Sequence, residues 1–167
     1  IFLMSDHTCI EPTSFQFYQA YHTHPVNKFF HLLGIPSIIL SLMVFLKDFY
    51  VIYNGYGPIM TKPLIAFWGL SLKNIVSGLY CIYYYKFGFF PGIVMHIYFT
   101  LLNIIAEKGN ISYRSASYLF ILSWFLQFTG HFIEGNRPAI TDSVGQAFLG
   151  APIFSLLPIV PQLKKYL

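Results

Sequence analysis

Residues 87–106 read FGFFPGIVMHIYFTLLNIIA, twenty consecutive positions without a charged side chain, bounded by Lys86 and Glu107. A hydrocarbon core about 30 Å thick takes roughly 20 helical residues, so this stretch predicts a helix able to cross a bilayer. Three further uncharged stretches flank it: 18 residues between Lys28 and Lys47, 19 between Arg114 and Glu134, and 21 between Asp142 and Lys164. In 29–46, 89–106 and 116–133 the apolar residues run right round the helix, as lipid-facing or fully buried helices require. Segment 64–85 is a fourth candidate, with Lys73 and Asn74 near its middle; Lys73 is expected to snorkel. A closed β-barrel would need alternation of period two, and none is present.

Composition agrees with the spans. Of 167 residues, 56% are apolar, 20% aromatic and 10% charged, against roughly 25% charged in soluble domains. Sixteen charges cover little of the surface of a soluble domain this size, and the same numbers exclude intrinsic disorder. The net charge of +4 comes from scattered Lys and Arg with no stripe beyond Lys164–Lys165, which argues against nucleic acid and suits a bilayer with anionic headgroups. Cys9 and Cys81 form no disulfide framework. No internal repeat or signal peptide is evident. Lys and Arg divide about five against four between the two sides of a four-span arrangement, too evenly to orient it.

The ends of the chain add shorter elements. Thr13 with Gln16 after Pro12 is a helix start, and Phe15, Tyr18 and His22 fall on one face of an interfacial helix. Ser143 and Gln146 form a second capping pair, but Gly150, Pro152, Pro158 and Pro161 interrupt the helix that this pair starts. Lys86, Gly88, Pro91 and Gly92 mark a tight turn, beside an aromatic belt of Tyr83, Tyr84 and Tyr85. The expected fold is an all-α, multi-pass membrane helical bundle with at least four spanning helices. An N-terminal interfacial helix and a kinked or re-entrant C-terminal apolar segment complete it. Residues 1–12 are read as a tail, 13–163 as a single domain and 164–167 as a second tail.

Six histidines in so apolar a chain need explaining. His22, His24 and His31 lie close together, with Pro25 suited to the first turn of a helix that puts Asn27 and His31 on one face. His131 and Glu134 share a face at the far end of another span. Facing helix ends can bring these groups together, and imidazole with carboxylate are the ingredients of a non-haem iron site. Histidines at a membrane interface also serve simply as hydrogen-bonding groups, and His7 and His24 are read so. His96, mid-span, is read as a neutral imidazole bonded to a neighbouring helix, although an ionisable residue there is by default a functional candidate. Glu107, Lys108 and Arg114 are read as a solvated loop.

The two clusters together resemble a family of membrane 2-hydroxy fatty acid dioxygenases, long labelled a domain of unknown function. Its front pattern, Tyr-His-x-x-Pro-x-Asn-x-x-x-His with a later Pro, is matched by Tyr21, His22, Pro25, Asn27, His31 and Pro36. Its rear pattern is matched by Gln127, Phe128, Gly130, His131, Glu134, Arg137, Pro138 and Asp142, followed by Ala151–Pro152. Asn136 stands where the family has a basic residue. The resemblance covers roughly 15–160 and implies an iron(II) enzyme of the endoplasmic reticulum, or of the cell membrane in a bacterium. With O2 it would convert a long-chain 2-hydroxy fatty acid to an aldehyde one carbon shorter, as in phytosphingosine breakdown. It implies His22, His31 and His131 as ligands, with Glu134 a fourth ligand or an orienting group. Arg137 is then placed to pair with the substrate carboxylate and Asn27 to orient a ligand. Zinc is a candidate occupant of the purified protein, since iron(II) lies below it in the Irving–Williams series. The rival readings are a non-enzymatic lipid-binding or scaffold protein and a different lipid hydroxylase. The latter families carry His-x-x-x-His and His-x-x-His-His boxes, which are missing here.

Overall fold

Helices form wherever the sequence runs apolar without a break, and the bundle follows from how their ends are capped. The computed structural model describes residues 14–49 and 71–167. Its regular elements, among the described residues, are helical: α1 (Ser14–Ala20), α2 (Pro25–Leu46), α3 (Leu72–Tyr85), α4 (Phe89–Lys108), α5 (Tyr113–Glu134) and α6 (Val144–Leu156), with short 3-10 turns at Ala139–Thr141 and Pro161–Lys165. Thr13 and the proposed tail 1–12 lie outside the described residues.

Three of these helices, α2, α4 and α5, are long and apolar enough to cross a membrane. Four were expected. In segment 64–85 the described helix is α3, 14 residues long, which spans about 21 Å at 1.5 Å per residue and falls short of a hydrocarbon core; residues 64–70 lie outside the described part. Lys73 does not snorkel. It is buried, and its Nζ pairs with Glu107 of α4 at 3.1 Å. Glu107 and Lys108 accordingly belong to the last turn of α4 rather than to a loop. Tyr84 is likewise core rather than belt: it is fully buried and donates to the Leu149 carbonyl at 2.6 Å. His96 points outward from α4 instead of into a neighbouring helix.

The central pair is α2 against α5, running antiparallel and close. A Cβ on Gly34 would stand 2.0 Å from Gln127 Nε2, and one on Gly130 would stand 2.3 Å from Asn27 Oδ1. Only glycine lets the two backbones approach so far. Gln127 Nε2 donates to the Phe30 carbonyl at 3.1 Å, which ties the helices at that level. The α3–α4 hairpin turns at Gly88, whose φ of 123° lies in the region that favours glycine. Helix α6 starts with Ser143 Oγ accepting from Gln146 N, carries Pro152 within it, and ends after 13 residues. It is a short apolar helix that packs inward. Phe15 and Tyr18 of α1 are buried against it, with Tyr18 and Phe154 rings 5.2 Å apart. Large apolar side chains face outward from the long helices, among them Phe29, Ile97, Phe125 and Phe132, the last 87% exposed.

Candidate metal centre

Three structural devices bring the histidines to one place. The α1–α2 connection is a four-residue link, after which His24 caps α2 through Nδ1, accepting from Val26 N at 3.2 Å, and Pro25 opens its first turn. His22 therefore hangs just before α2 and His31 sits two turns into it. Helix α5 ends one turn after His131 in a Schellman cap: Gly135 adopts φ 75°, Asn136 N donates to the His131 carbonyl, and Gly135 N donates to the Phe132 carbonyl. Since α2 and α5 are antiparallel, the start of one meets the end of the other.

The rings of His22, His31 and His131 are all at least 95% buried, and their centroids lie 4.2, 4.7 and 5.1 Å apart. One ring nitrogen from each falls within 4.8 Å of the other two. His22 Nδ1 bonds the Tyr18 carbonyl at 2.6 Å, and His31 Nδ1 bonds the Asn27 carbonyl at 2.8 Å. A carbonyl only accepts, so both Nδ1 atoms carry the proton and both Nε2 atoms present lone pairs. These two Nε2 atoms face each other at 2.9 Å. Two lone pairs do not bond, so something positive belongs between them. A proton is disfavoured at neutral pH, because burial above all lowers His22 to about 4, against the opposing pull of the Tyr18 carbonyl. His131 Nδ1 is buried and has no hydrogen-bond partner among the described residues. A buried set of neutral imidazoles with unused lone pairs fits a first-row metal ion.

Glu134 is brought to the cluster's edge, and its oxygens are engaged there. Oε1 accepts from Thr23 N at 2.5 Å, Thr23 Oγ1 at 2.6 Å and His24 N at 2.9 Å, while Oε2 accepts from Asn27 Nδ2. Asn27 thus connects Glu134 to His31, through its side chain on one side and its carbonyl on the other. The carboxylate holds the link between His22 and α2 in position. Arg137 is largely exposed and pairs with Asp142 at 3.0 Å; Asp142 also accepts from the Tyr21 hydroxyl, which holds that phenol above its ordinary value. Tyr18 stacks on His22 at 4.1 Å, and Phe154 packs beside both rings, 5.0 Å from His22 and 5.2 Å from Tyr18. Tyr18 shares the face of His22 and was visible in the pattern; Thr23 and Phe154 carry no local signal, as their partners are distant in sequence.

A cavity of about 190 Å³ opens from the cluster. His31, His131 and Tyr18 line one end, Ile38 and Trp124 the middle, and Leu46 with Lys73 the other end. An elongated apolar slot with a polar, imidazole-lined head suits an amphipathic ligand.

A family profile described as "2-hydroxy-palmitic acid dioxygenase Mpo1-like" matches residues 12–163. The 2-hydroxy-palmitic acid dioxygenase MPO1 of Saccharomyces cerevisiae is 28% identical over 157 residues, covering 89% of this chain and 82% of the yeast protein. No solved structure matches the chain. With a matched region that contains all of α1 to α6, the chain belongs to the family of Mpo1-like 2-hydroxy-palmitic acid dioxygenases.

Proposed function

We propose that the protein is a membrane-embedded, iron(II)-dependent dioxygenase that removes the carboxyl carbon of long-chain 2-hydroxy fatty acids. The carrying observation is the pair of Nε2 lone pairs of His22 and His31 facing each other, with His131 beside them, at the head of an apolar cavity. The name of the yeast relative supplies the substrate class, a 2-hydroxy fatty acid of sixteen carbons. Bound iron would supply the redox chemistry with O2; three imidazoles also suit zinc, so the metal is to be measured. The resemblance favours the endoplasmic reticulum as the compartment.

The chain's own residues do the rest. His22, His31 and His131 hold the metal, and the Tyr18 and Asn27 carbonyls fix the tautomers of the first two. Glu134 and Asn27 orient the loop that carries His22. Arg137 offers a guanidinium at the open side for the substrate carboxylate, once it exchanges Asp142 for it. The acyl chain lies in the slot, where apolar walls exclude water.

Conversion to the aldehyde one carbon shorter removes two electrons, whereas reduction of O2 to water takes four. Without an added reductant the balance closes either on the aldehyde with CO2 and hydrogen peroxide or, where O2 goes to water, on the acid one carbon shorter with CO2 and water. Both products are therefore assayed, from anaerobic enzyme with ferrous iron and 2-hydroxypalmitate after admission of O2. A fifteen-carbon product that needs both iron and O2, and is not formed from palmitate, is the expected result. Turnover without O2, or equal turnover of palmitate, overturns the reading; absence of bound metal and of turnover favours a lipid-binding scaffold.

A further inference from the structure

The far end of the cavity holds a charged group where an acyl slot has no need of one. Lys73 is 4% exposed, lines the cavity together with Ser77, and pairs with Glu107. Its Nζ also donates to Asn74 Oδ1 at 3.3 Å. Ser77 Oγ donates to the Lys73 carbonyl at 2.7 Å and accepts from Asn103 Nδ2 at 3.0 Å, while Asn103 Oδ1 is buried without a hydrogen-bond partner among the described residues. This is a polar floor beneath apolar walls.

We propose that the Lys73–Glu107 ion pair is the stop against which the methyl end of the substrate abuts, so that it sets the longest acyl chain the slot accepts; the inference rests on the reading of the cavity as an acyl slot. Glu107 is 41% exposed while Lys73 is buried, so a methyl group pressed against Lys73 from the cavity would strip a buried ammonium of the polar contacts it needs. Extension past the floor is therefore opposed by charge as well as by shape. The slot's length follows from α2, whose His31 and Leu46 line opposite ends. Fifteen residues at 1.5 Å separate them by about 22 Å. A fully extended chain advances about 1.25 Å per carbon from C–C bonds near 1.5 Å, so the limit falls at about sixteen to eighteen carbons. Leu42 lies one turn nearer the head and also lines the cavity.

The test measures binding apart from turnover. Full-length protein in lipid nanodiscs, loaded with metal and kept anaerobic, is titrated with saturated 2-hydroxy acids of ten to twenty-four carbons, in competition with a fluorescent fatty acid. Affinity should increase with length to about sixteen to eighteen carbons and then drop by about tenfold or more within the next four, the scale at which apolar pockets reject surplus methylenes. The double variant Lys73→Met/Glu107→Gln removes both charges at similar size and should move the drop to longer acids by at least four carbons. Leu42→Trp should move it to shorter acids by about four or five carbons, corresponding to one turn of α2, about 6 Å. Retained metal content certifies the fold of each variant. A drop at the same length in all three proteins, or none up to twenty-four carbons, overturns the proposal. A length limit that moves as expected in protein without turnover supports the stop and refutes the dioxygenase reading, whereas turnover with no length limit does the reverse.

Discussion

His131 brings to the cluster a buried ring nitrogen with no hydrogen-bond partner among the described residues, and a bound metal would remove that cost. His131→Ala, His22→Ala or His31→Ala should each lose most bound metal by elemental analysis of purified protein. His24→Ala should keep it, since His24 caps α2 and offers nothing to the cluster, and should cost about 1 kcal/mol through the lost cap. Equal metal in wild type and His131→Ala would remove this assignment. The histidines were legible because each sits at a helix end marked by Pro25 or Gly135. The part played by Glu134 was not, because two of its donors are the backbone amides of Thr23 and His24, and a backbone donor leaves no mark in a sequence. Acidity tests the same residues. His22 is held near 4 by burial in the metal-free protein and returns to an ordinary 6.5 on unfolding. Between those values the unfolded chain binds more protons, so stability falls as the pH is lowered from about 6.5 towards 4. The thermal midpoint of metal-free protein in detergent should drop across that window, and His22→Phe should flatten the slope.

Among the elements, the α2–α5 pair decides whether a centre exists at all. A methyl group on Gly130 meets Asn27 at 2.3 Å, next to the residue that holds both Glu134 and His31. Gly130→Ala should therefore part the helices at the level of the histidines, cost about 1–3 kcal/mol and weaken metal binding. Gly78 on α3 meets nothing within 4 Å, so Gly78→Ala should leave metal unchanged and stabilise by up to about 1 kcal/mol. Comparing the thermal midpoints and metal contents of the two variants checks this directly. The long helices were readable from uncharged stretches because a bilayer sets length and hydropathy together. Helix α3 was harder to place, because Lys73 interrupts its uncharged run. Its charge is compensated by Glu107 on the neighbouring helix, a contact made in three dimensions that a scan for charge-free runs cannot register.

At the scale of the molecule, the outward ring of apolar side chains and the inward histidine cluster demand different surroundings, and a bilayer would satisfy both. The protein should remain in the pellet after alkaline carbonate extraction; recovery as a folded soluble monomer would contradict the membrane assignment. The histidine centre and the Lys73–Glu107 pair lie at opposite ends of α2 and α4. The slot between them thus runs across most of the apolar layer. That geometry was not in the sequence pattern, which placed charges along the chain but not across the bundle.

One hundred residues separate His31 from His131, and this spacing has a consequence for how the protein is made. During synthesis the first two histidines are complete and inserted long before the third leaves the ribosome. An intermediate holding only the paired lone pairs of His22 and His31 would be a weak and exposed metal trap, open to whichever ion is abundant at the moment. Closure by α5 fastens a loop of that length, which an ion bridging its ends stabilises against reopening. Any metal the three histidines bind would in that sense be selected by timing during biogenesis, with α5, which completes the set, acting as the clasp.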